Sequence, residues 1–492
     1  MDGRLERATK LEETNPDEAL SLCSQVLNED HNHPEATYIA ARVLMTAGRW
    51  GMAYIMYLRC NQISPHKAEI QNSLGLACEH VDPVLALKHY DNALRINPNH
   101  YHALNNKGLM LLRKGRPDLC IKYSDKCLKI HPDYIGGNIN KATALLMLRQ
   151  WREGWELYQS SLGISRTKRE YGAPDWNGEE GTVVVYGEQG LGDEILFASC
   201  VPDLQKTNKV ILDVEPRLRS LFERSFNCPV YGTRFQDSTP LVENHHIDYQ
   251  ISIGSLPRFF RNSGEEFPGL PWLTPDPERC IQWRALFDSL DYGSNNEVMR
   301  RNQPNGKRIG LAWQGGILNT ERHARSFDLD VFKPLFDLPH TFVSLEYDEP
   351  DLKGYPIRHF GRAVNKGVDY DETLSLISEL DLVISVPTTG VHASGSVGTE
   401  CWVLVPKHPS FRYHLDGDMP WYKTARLFRQ TGTWDNLILE VKRALEERYD
   451  QMGYGLRRSR GGRLSHDVPL SKPSIDTTDI DSAGIAETLT PH

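Results

Sequence analysis

Residues 187–194 read Gly187-Glu188-Gln189-Gly190-Leu191-Gly192-Asp193-Glu194. A short apolar run, residues 183–186, precedes them and a helix-like run, residues 195–200, follows, so the order is strand, glycine-rich loop, helix. Such a loop lets a ligand approach the backbone and places a helix N-terminus beside it. An acid there faces the crevice beyond the strand's carboxyl end, where open α/β sheets bind ligands. Asp193 is therefore a candidate functional residue, with helix N-capping as the alternative.

The composition bounds the classes of function. The 492 residues suggest about three domains. A net charge of -9 and a pI near 6.1 disfavour a dedicated nucleic-acid binder. The nine cysteines are scattered without a CxxC pair, which indicates a reducing compartment. Neither a signal peptide nor an apolar run of membrane-spanning length is evident, so we expect a cytoplasmic protein.

The first 160 residues contain a repeat. Four prolines, at positions 34, 65, 98 and 132, are spaced by 31, 33 and 34 residues, and a helix rich in small residues and leucine follows each. A turn and a second helix, such as residues 84–94 or 119–128, come next. This is the ~34-residue pattern of tetratricopeptide repeats (TPRs), which predicts an α-solenoid with a concave face. That face is expected to bind a partner, with purely structural support as the alternative.

After residue 150 the pattern changes to strand-length apolar runs alternating with helices, which favours parallel α/β units. One set comprises residues 183–186, 210–213 and 249–253; the second, after a polar linker at 293–307, comprises residues 309–313, 341–345, 382–386 and 402–405. Two such sets predict two facing Rossmann-like domains with a cleft between them. The predicted boundaries are 1–160 for the solenoid, 161–300 and 301–448 for the α/β halves, and 449–492 for a disordered tail containing a basic patch at 457–463.

Two loops of the second set could hold an anion. The first begins at Gln314 and Gly315 and ends at Arg325 and Ser326; arginine binds phosphate through paired, charge-assisted hydrogen bonds. An ordinary solvated loop is the alternative.

The second loop, residues 385–395, combines hydroxyls, small residues and a predicted helix N-terminus, which favours an anionic ligand. Thr388, Thr389 and His392 are its candidate residues. The alternative is a helix capped by Thr388, with His392 packed inside.

Residues 151–448 resemble the glycosyltransferase domain that follows TPRs in many bacterial and viral proteins. They are similar to heptosyltransferases and, more distantly, to protein O-GlcNAc transferases. The resemblance rests on seven segments, residues 151–155, 187–193, 255–257, 309–316, 381–392, 420–422 and 426–430. It implies the two-domain GT-B fold, with the acceptor on the first half, a nucleotide-sugar on the second, and neither a metal nor another cofactor.

The resemblance also implies roles by position. Asp193 matches the aspartate proposed as general base in heptosyltransferases, and Gly190 and Gly192 form the loop beside it. Two departures matter: Pro387 stands where the family usually has Asp, and Gln314 where it often has Lys or Arg. The implied donor-binding residues are Gln314, Gly315, Arg325, Ser326, Thr388, Thr389 and His392.

Three functions follow as hypotheses. The leading one is an inverting, metal-independent glycosyltransferase that moves a sugar from a nucleotide-sugar donor to a hydroxyl of a protein or glycan presented by the repeats. The second is a non-catalytic interaction scaffold with a degenerate glycosyltransferase domain, which Pro387 and Gln314 favour. The third is glycosylation of modified bases in viral DNA, which the acidic balance disfavours.

Overall fold

The computed structural model describes residues 2–79, 81–292, 306–316, 322–361, 364 and 369–451. Most of the predicted linker, part of the first donor loop and nearly all of the predicted tail, with its basic patch, lie outside these residues. The chain divides into two compact units, Met1–Ala444 and Leu445–His492. Within the first unit, paired helices are followed by two parallel sheets.

Paired antiparallel helices of the TPR type fill residues 3–158, and each packs on the next. Proline at the first position starts several of them, because its fixed φ suits a helix N-terminus and its missing N–H costs nothing there. The helices are Gly3–Leu11, Pro16–Glu29, Pro34–Thr46, Trp50–Ile63, Ala68–Cys78, Pro83–Ile96, Tyr101–Arg113, Pro117–Ile130, Ile135–Met147 and Trp151–Tyr158.

The repeat period is also visible in side-chain hydrogen bonds between successive first helices. Asn106 donates to Asn72 at 3.0 Å, across 34 residues, and Asn140 donates to Asn105 at 2.8 Å, across 35 residues. First helices of neighbouring repeats therefore share one face of the array. The predicted helical repeats are confirmed.

Two parallel sheets follow the helices. The first has the order β3-β2-β1-β4 and the second the order β10-β9-β8-β5-β6-β7. The strands are β1 (Thr182–Tyr186), β2 (Lys209–Asp213), β3 (Val230–Tyr231), β4 (Tyr249–Ser252), β5 (Arg308–Ala312), β6 (Thr341–Ser344), β7 (Ile357–Arg358), β8 (Leu382–Ser385), β9 (Cys401–Val405) and β10 (Ala425–Arg429).

The strand order determines where a ligand would bind. Counted along the chain, the second sheet runs 3-2-1-4-5-6, the order of dinucleotide-binding domains, and the first runs 3-2-1-4. In such a sheet the chain leaves the first and fourth strands toward opposite sides, which opens a crevice at their carboxyl ends. These switch points lie between β1 and β4 and between β5 and β8.

Further helices connect and follow the strands. They are Leu191–Phe197, Val201–Leu204, Arg219–Phe226, Thr239–Asn244, Pro257–Phe260, Pro277–Tyr292, Asp371–Ser378, Thr389–Val397 and Trp434–Gln451. One cluster of buried apolar residues extends from Leu112 in the repeats to Tyr422 in the second sheet region. At its centre Trp155 packs edge-on against Phe197 and Trp421. The last repeats therefore share a core with the α/β region.

Candidate functional site

The glycine-rich loop and both candidate donor loops leave their sheets at the two switch points. Residues 187–190 follow β1, residues 313–316 follow β5, and residues 386–388 follow β8. The helices that follow β1 and β8, Leu191–Phe197 and Thr389–Val397, contact each other. The structure therefore brings together the loops that carry the candidate base and the candidate donor residues.

Gly192 makes this close approach possible. A Cβ built on it would lie 3.1 Å from Cδ2 of His392 and 3.2 Å from Cα of Thr389, tighter than ordinary van der Waals contact. A larger residue at position 192 would push the two helices apart.

Asp193 does not cap its helix. The helix begins at Leu191 with Gly190 as N-cap, so Asp193 lies within the first turn, and the predicted capping alternative is wrong. Its carboxylate instead accepts a hydrogen bond from the guanidinium of Arg412, with which it forms an ion pair. The Asp193 side chain is 25% exposed and that of Arg412 is 17% exposed, so the pair is partly desolvated.

Sequence reasoning missed Arg412, which lies 219 residues from Asp193. It stands in the segment between β9 and β10, and β9 pairs with β8, the strand that leads to Thr388. Two other arginines fix the backbone of this segment. Arg429 donates to the carbonyl oxygens of Tyr413 and Gly417, each at 2.8 Å, and Arg149 of the helical array donates to that of Asp416 at 2.8 Å.

A buried ion pair holds the loop after β1. Arg166 donates to the Glu188 carboxylate at 3.2 Å, and both side chains are almost fully buried. Arg166 also donates to the hydroxyls of Ser252, the last residue of β4, and Ser255 just beyond it, at 2.7 and 2.9 Å. Glu188 therefore positions the loop that carries Asp193 at the first switch point.

The loop after β5 is organised by backbone hydrogen bonds and by Arg325. Ser326 Oγ accepts from the Gly315 N–H at 2.9 Å, and Gln314 accepts from Arg322. A Cβ on Gly315 would lie 2.7 Å from Cγ of Arg325, so glycine is needed for this packing. Arg325 also donates to the carbonyl oxygen of Pro387 at 3.2 Å, which links the loops after β5 and β8.

Glu346, just beyond β6, is a second residue that sequence reasoning missed. It is buried, and its Oε1 accepts from the N–H groups of Trp313 and Gln314 at 2.6 and 2.9 Å. Burial raises the pKa of its carboxyl to about 7, although the two N–H bonds oppose the rise. In dinucleotide-binding domains an acid beyond the neighbouring strand binds a ribose hydroxyl. Its place after a predicted strand was the available signal.

Beyond β8, Thr388 caps the helix Thr389–Val397. Its Oγ1 accepts from the Gly390 N–H at 3.2 Å, and it pairs with Ser385 Oγ at 2.9 Å. His392 is buried, and its Nδ1 pairs with Tyr422 Oη at 2.9 Å. Burial lowers the pKa of this imidazole to about 4, so it is neutral near pH 7. The alternative of a capped helix with a packed histidine therefore describes these two side chains.

Three further observations bound the site. None of the described helices combines the length and the apolar character that crossing a membrane requires. Among residues that the structure describes, no cluster of three or more His, Cys, Asp or Glu side chains is arranged to hold a metal ion. No protein-family model matches the chain.

The chain is similar to protein FlbA of Caulobacter vibrioides, with 27% identity over 423 residues, covering 78% of this chain and 68% of FlbA. Similar solved structures each cover about a third of the chain. MamA is 22% identical and covers 33% of this chain and 94% of its own, with a TM-score of 0.29. YrrB, a TPR protein with an unusual peptide-binding site, is 19% identical and covers 33% and 84%, with a TM-score of 0.27. The thermophilic TPR protein TTC0263 of Thermus thermophilus is 21% identical and covers 32% and 89%, with a TM-score of 0.30.

Proposed function

We propose that the chain is an inverting glycosyltransferase of the GT-B type, which transfers a sugar from a nucleotide-sugar donor to a hydroxyl acceptor held by the helical repeats. The observation that carries the proposal is the contact between the helices that follow β1 and β8. This contact brings the switch-point crevice of the first sheet next to that of the second. A candidate base on one crevice thereby stands beside an anion-binding helix N-terminus on the other.

The donor would lie at the second sheet. Arg325 and the N–H groups at the start of Thr389–Val397 would neutralise the diphosphate, and Glu346 would accept a hydrogen bond from the ribose. At the two positions that depart from the family, Gln314 accepts a hydrogen bond from Arg322 and the Pro387 carbonyl oxygen accepts one from Arg325. Two arginines thus remain in the loop although the family's charged residues are absent.

The chemical step needs a proton acceptor and a stabilised leaving group. The acceptor oxygen bonds to the anomeric carbon as the bond from that carbon to the diphosphate breaks, and the hydroxyl proton passes to the Asp193 carboxylate. A positioned base typically contributes ~10²–10⁴-fold to such a step. The released diphosphate gains negative charge, which Arg325 and the helix N-terminus would stabilise without a metal.

A second candidate function is a non-catalytic scaffold that binds a protein or peptide partner through its repeats. The Asp193–Arg412 pair favours it, because the guanidinium occupies an oxygen of the carboxylate that the enzyme hypothesis needs as proton acceptor. The two functions differ in whether a nucleotide diphosphate binds.

The test is a thermal-shift screen with UDP, GDP, ADP, CMP and their sugars, followed by calorimetry with the nucleotide that stabilises most. A ligand at a hundredfold excess over Kd stabilises by ~2.7 kcal/mol. Arg325→Ala should weaken binding at least about tenfold, as expected for loss of a charge-assisted hydrogen bond. Arg443→Ala, which removes an exposed arginine from the last described helix, should leave it unchanged. Absence of binding by the parent protein would favour the scaffold.

A further inference from the structure

The ion pair between Asp193 and Arg412 conflicts with a role for Asp193 as a free base. The guanidinium of Arg412 lies on Oδ1 of the carboxylate, where an acceptor hydroxyl would otherwise have to approach. The pair is partly desolvated, so its attraction is screened less than that of an exposed pair. Catalysis by Asp193 therefore requires that Arg412 first finds another anion.

Arg412 has one carboxylate partner among the residues that the structure describes. The Nε of Arg412 is buried and has no hydrogen-bond partner among the described residues. The anion that its guanidinium contacts is the Asp193 carboxylate. The backbone around it is fixed by Arg429 and Arg149, as described above. Because the backbone of this segment is held in place, a change of partner by Arg412 would need only a rotation of its side chain.

The donor would supply the second anion. The segment of Arg412 follows β9, next to β8, and Thr389 and His392 pack against Gly192, one residue before Asp193. A diphosphate at the N-terminus of Thr389–Val397 would thus compete with Asp193 for the same cation. Arginine binds phosphate oxygens in a paired geometry, and a diphosphate carries more charge than one carboxylate.

We propose that Arg412 is a diphosphate-binding residue that blocks Asp193 until the donor binds. Donor binding draws the guanidinium to the phosphates and frees the carboxylate for the acceptor hydroxyl. The inference rests on the proposed function and adds an order to it: donor first, acceptor second. It also supplies the donor site with a cation, which Gln314 and Pro387 do not provide.

The test is a double-mutant cycle on the affinity of the full chain for the nucleoside diphosphate, among UDP, GDP and ADP, that binds the parent most tightly. Arg412→Gln should weaken binding at least about tenfold, the loss expected for one charge-assisted hydrogen bond. Asp193→Asn should strengthen it at least about fivefold, the lower end of typical coupling between two sites, because Arg412 no longer has a competing anion. In the Arg412→Gln background, Asp193→Asn should change affinity by less than about twofold.

The cycle separates this inference from its alternatives. If Asp193→Asn strengthens binding equally in both backgrounds, a long-range charge effect explains it and Arg412 is not the shared cation. If Asp193→Asn weakens binding or leaves it unchanged, the pair is only a structural link and the inference is wrong. If Arg412→Gln unfolds the protein, Arg412→Met, which keeps an apolar stem and also removes the charge, takes its place in the cycle with the same expected results. If the parent binds none of the three nucleotides, the proposed function and this inference fail together. If Arg325→Ala weakens binding but Asp193 and Arg412 show no coupling in the cycle, only this inference fails.

Discussion

The carboxyl of Glu346 gives the site a pH dependence that can be measured without a substrate. Glu346→Gln keeps a side-chain oxygen that can accept from the N–H groups of Trp313 and Gln314, and it removes the ionisation. Because the shape and the acceptor survive, the variant should fold. Its difference from the parent should therefore report the cost of burying the charge.

The size and sign of the effect follow from the pKa of Glu346. Burial raises this pKa from 4.5 to about 7, and each unit is worth about 1.4 kcal/mol, so the charged form costs about 3 kcal/mol when the protein folds. Since the pKa in the folded state lies above that in the unfolded state, the parent loses this stability as the pH rises from about 4.5 to about 7. Glu346→Gln loses none of it, so its stability relative to the parent should increase by up to about 3 kcal/mol between pH 5 and pH 8.

The assay is urea unfolding of parent and variant at pH 5, 6, 7 and 8. Glu349→Gln, which removes an exposed carboxylate from the same loop, is the control for the loss of one negative charge. Parallel stability profiles for Glu346→Gln and the parent would refute the reasoning, as would a variant whose relative stability decreases with pH.

Three further outcomes follow from the packing and from the proposed chemistry. Asp193→Asn should lower turnover by about two to four orders of magnitude in a transfer assay while retaining nucleotide binding by calorimetry; parent-like turnover would exclude Asp193 as base. Gly395→Ala should lower the melting temperature because its Cβ would lie 2.2 Å from the ring of buried Tyr422. The control Gly51→Ala, at an exposed helix position with open space around it, should raise the melting temperature slightly. A higher melting temperature for Gly395→Ala than for Gly51→Ala would contradict the packing. A chain that starts at Trp151 should melt lower and lose activity on the native acceptor while binding nucleotide; full activity would show that the repeats give only support.

The helices and most strands could be predicted from local pattern alone. Hydrophobic periodicity and the spacing of prolines place the repeat helices within a few residues of their observed bounds. The strands of continuous apolar residues were also predicted, because a parallel strand buried on both faces has a distinctive composition. Three strands were missed: β3 and β7 are two residues long, and β10 carries arginine at both ends of its apolar centre. Edge strands of this kind leave little signal in the sequence.

The site was less predictable, because its partners are chosen by tertiary structure. Local pattern identified Asp193 and Arg325, but nothing in the sequence pairs Asp193 with Arg412 or assigns the N–H groups after β5 to Glu346. The alternative that Asp193 is an N-cap was wrong because the helix starts earlier, at Leu191, with glycine before it. The catalytic and donor-binding roles of all these residues remain predictions.

The helical array is joined to the candidate site more closely than a tethered binding module would be. Tyr158, at the end of its last helix, donates to Gln189 in the loop after β1 at 2.9 Å, and Arg149 holds the segment that carries Arg412. Both members of the Asp193–Arg412 pair thus stand on segments that the array contacts directly. A partner that shifts the last repeat would therefore move the pair as well, whereas a flexible tether would transmit no such change. In this arrangement the repeats would set the geometry of the residues proposed to act on an acceptor, besides the proposed role of holding it.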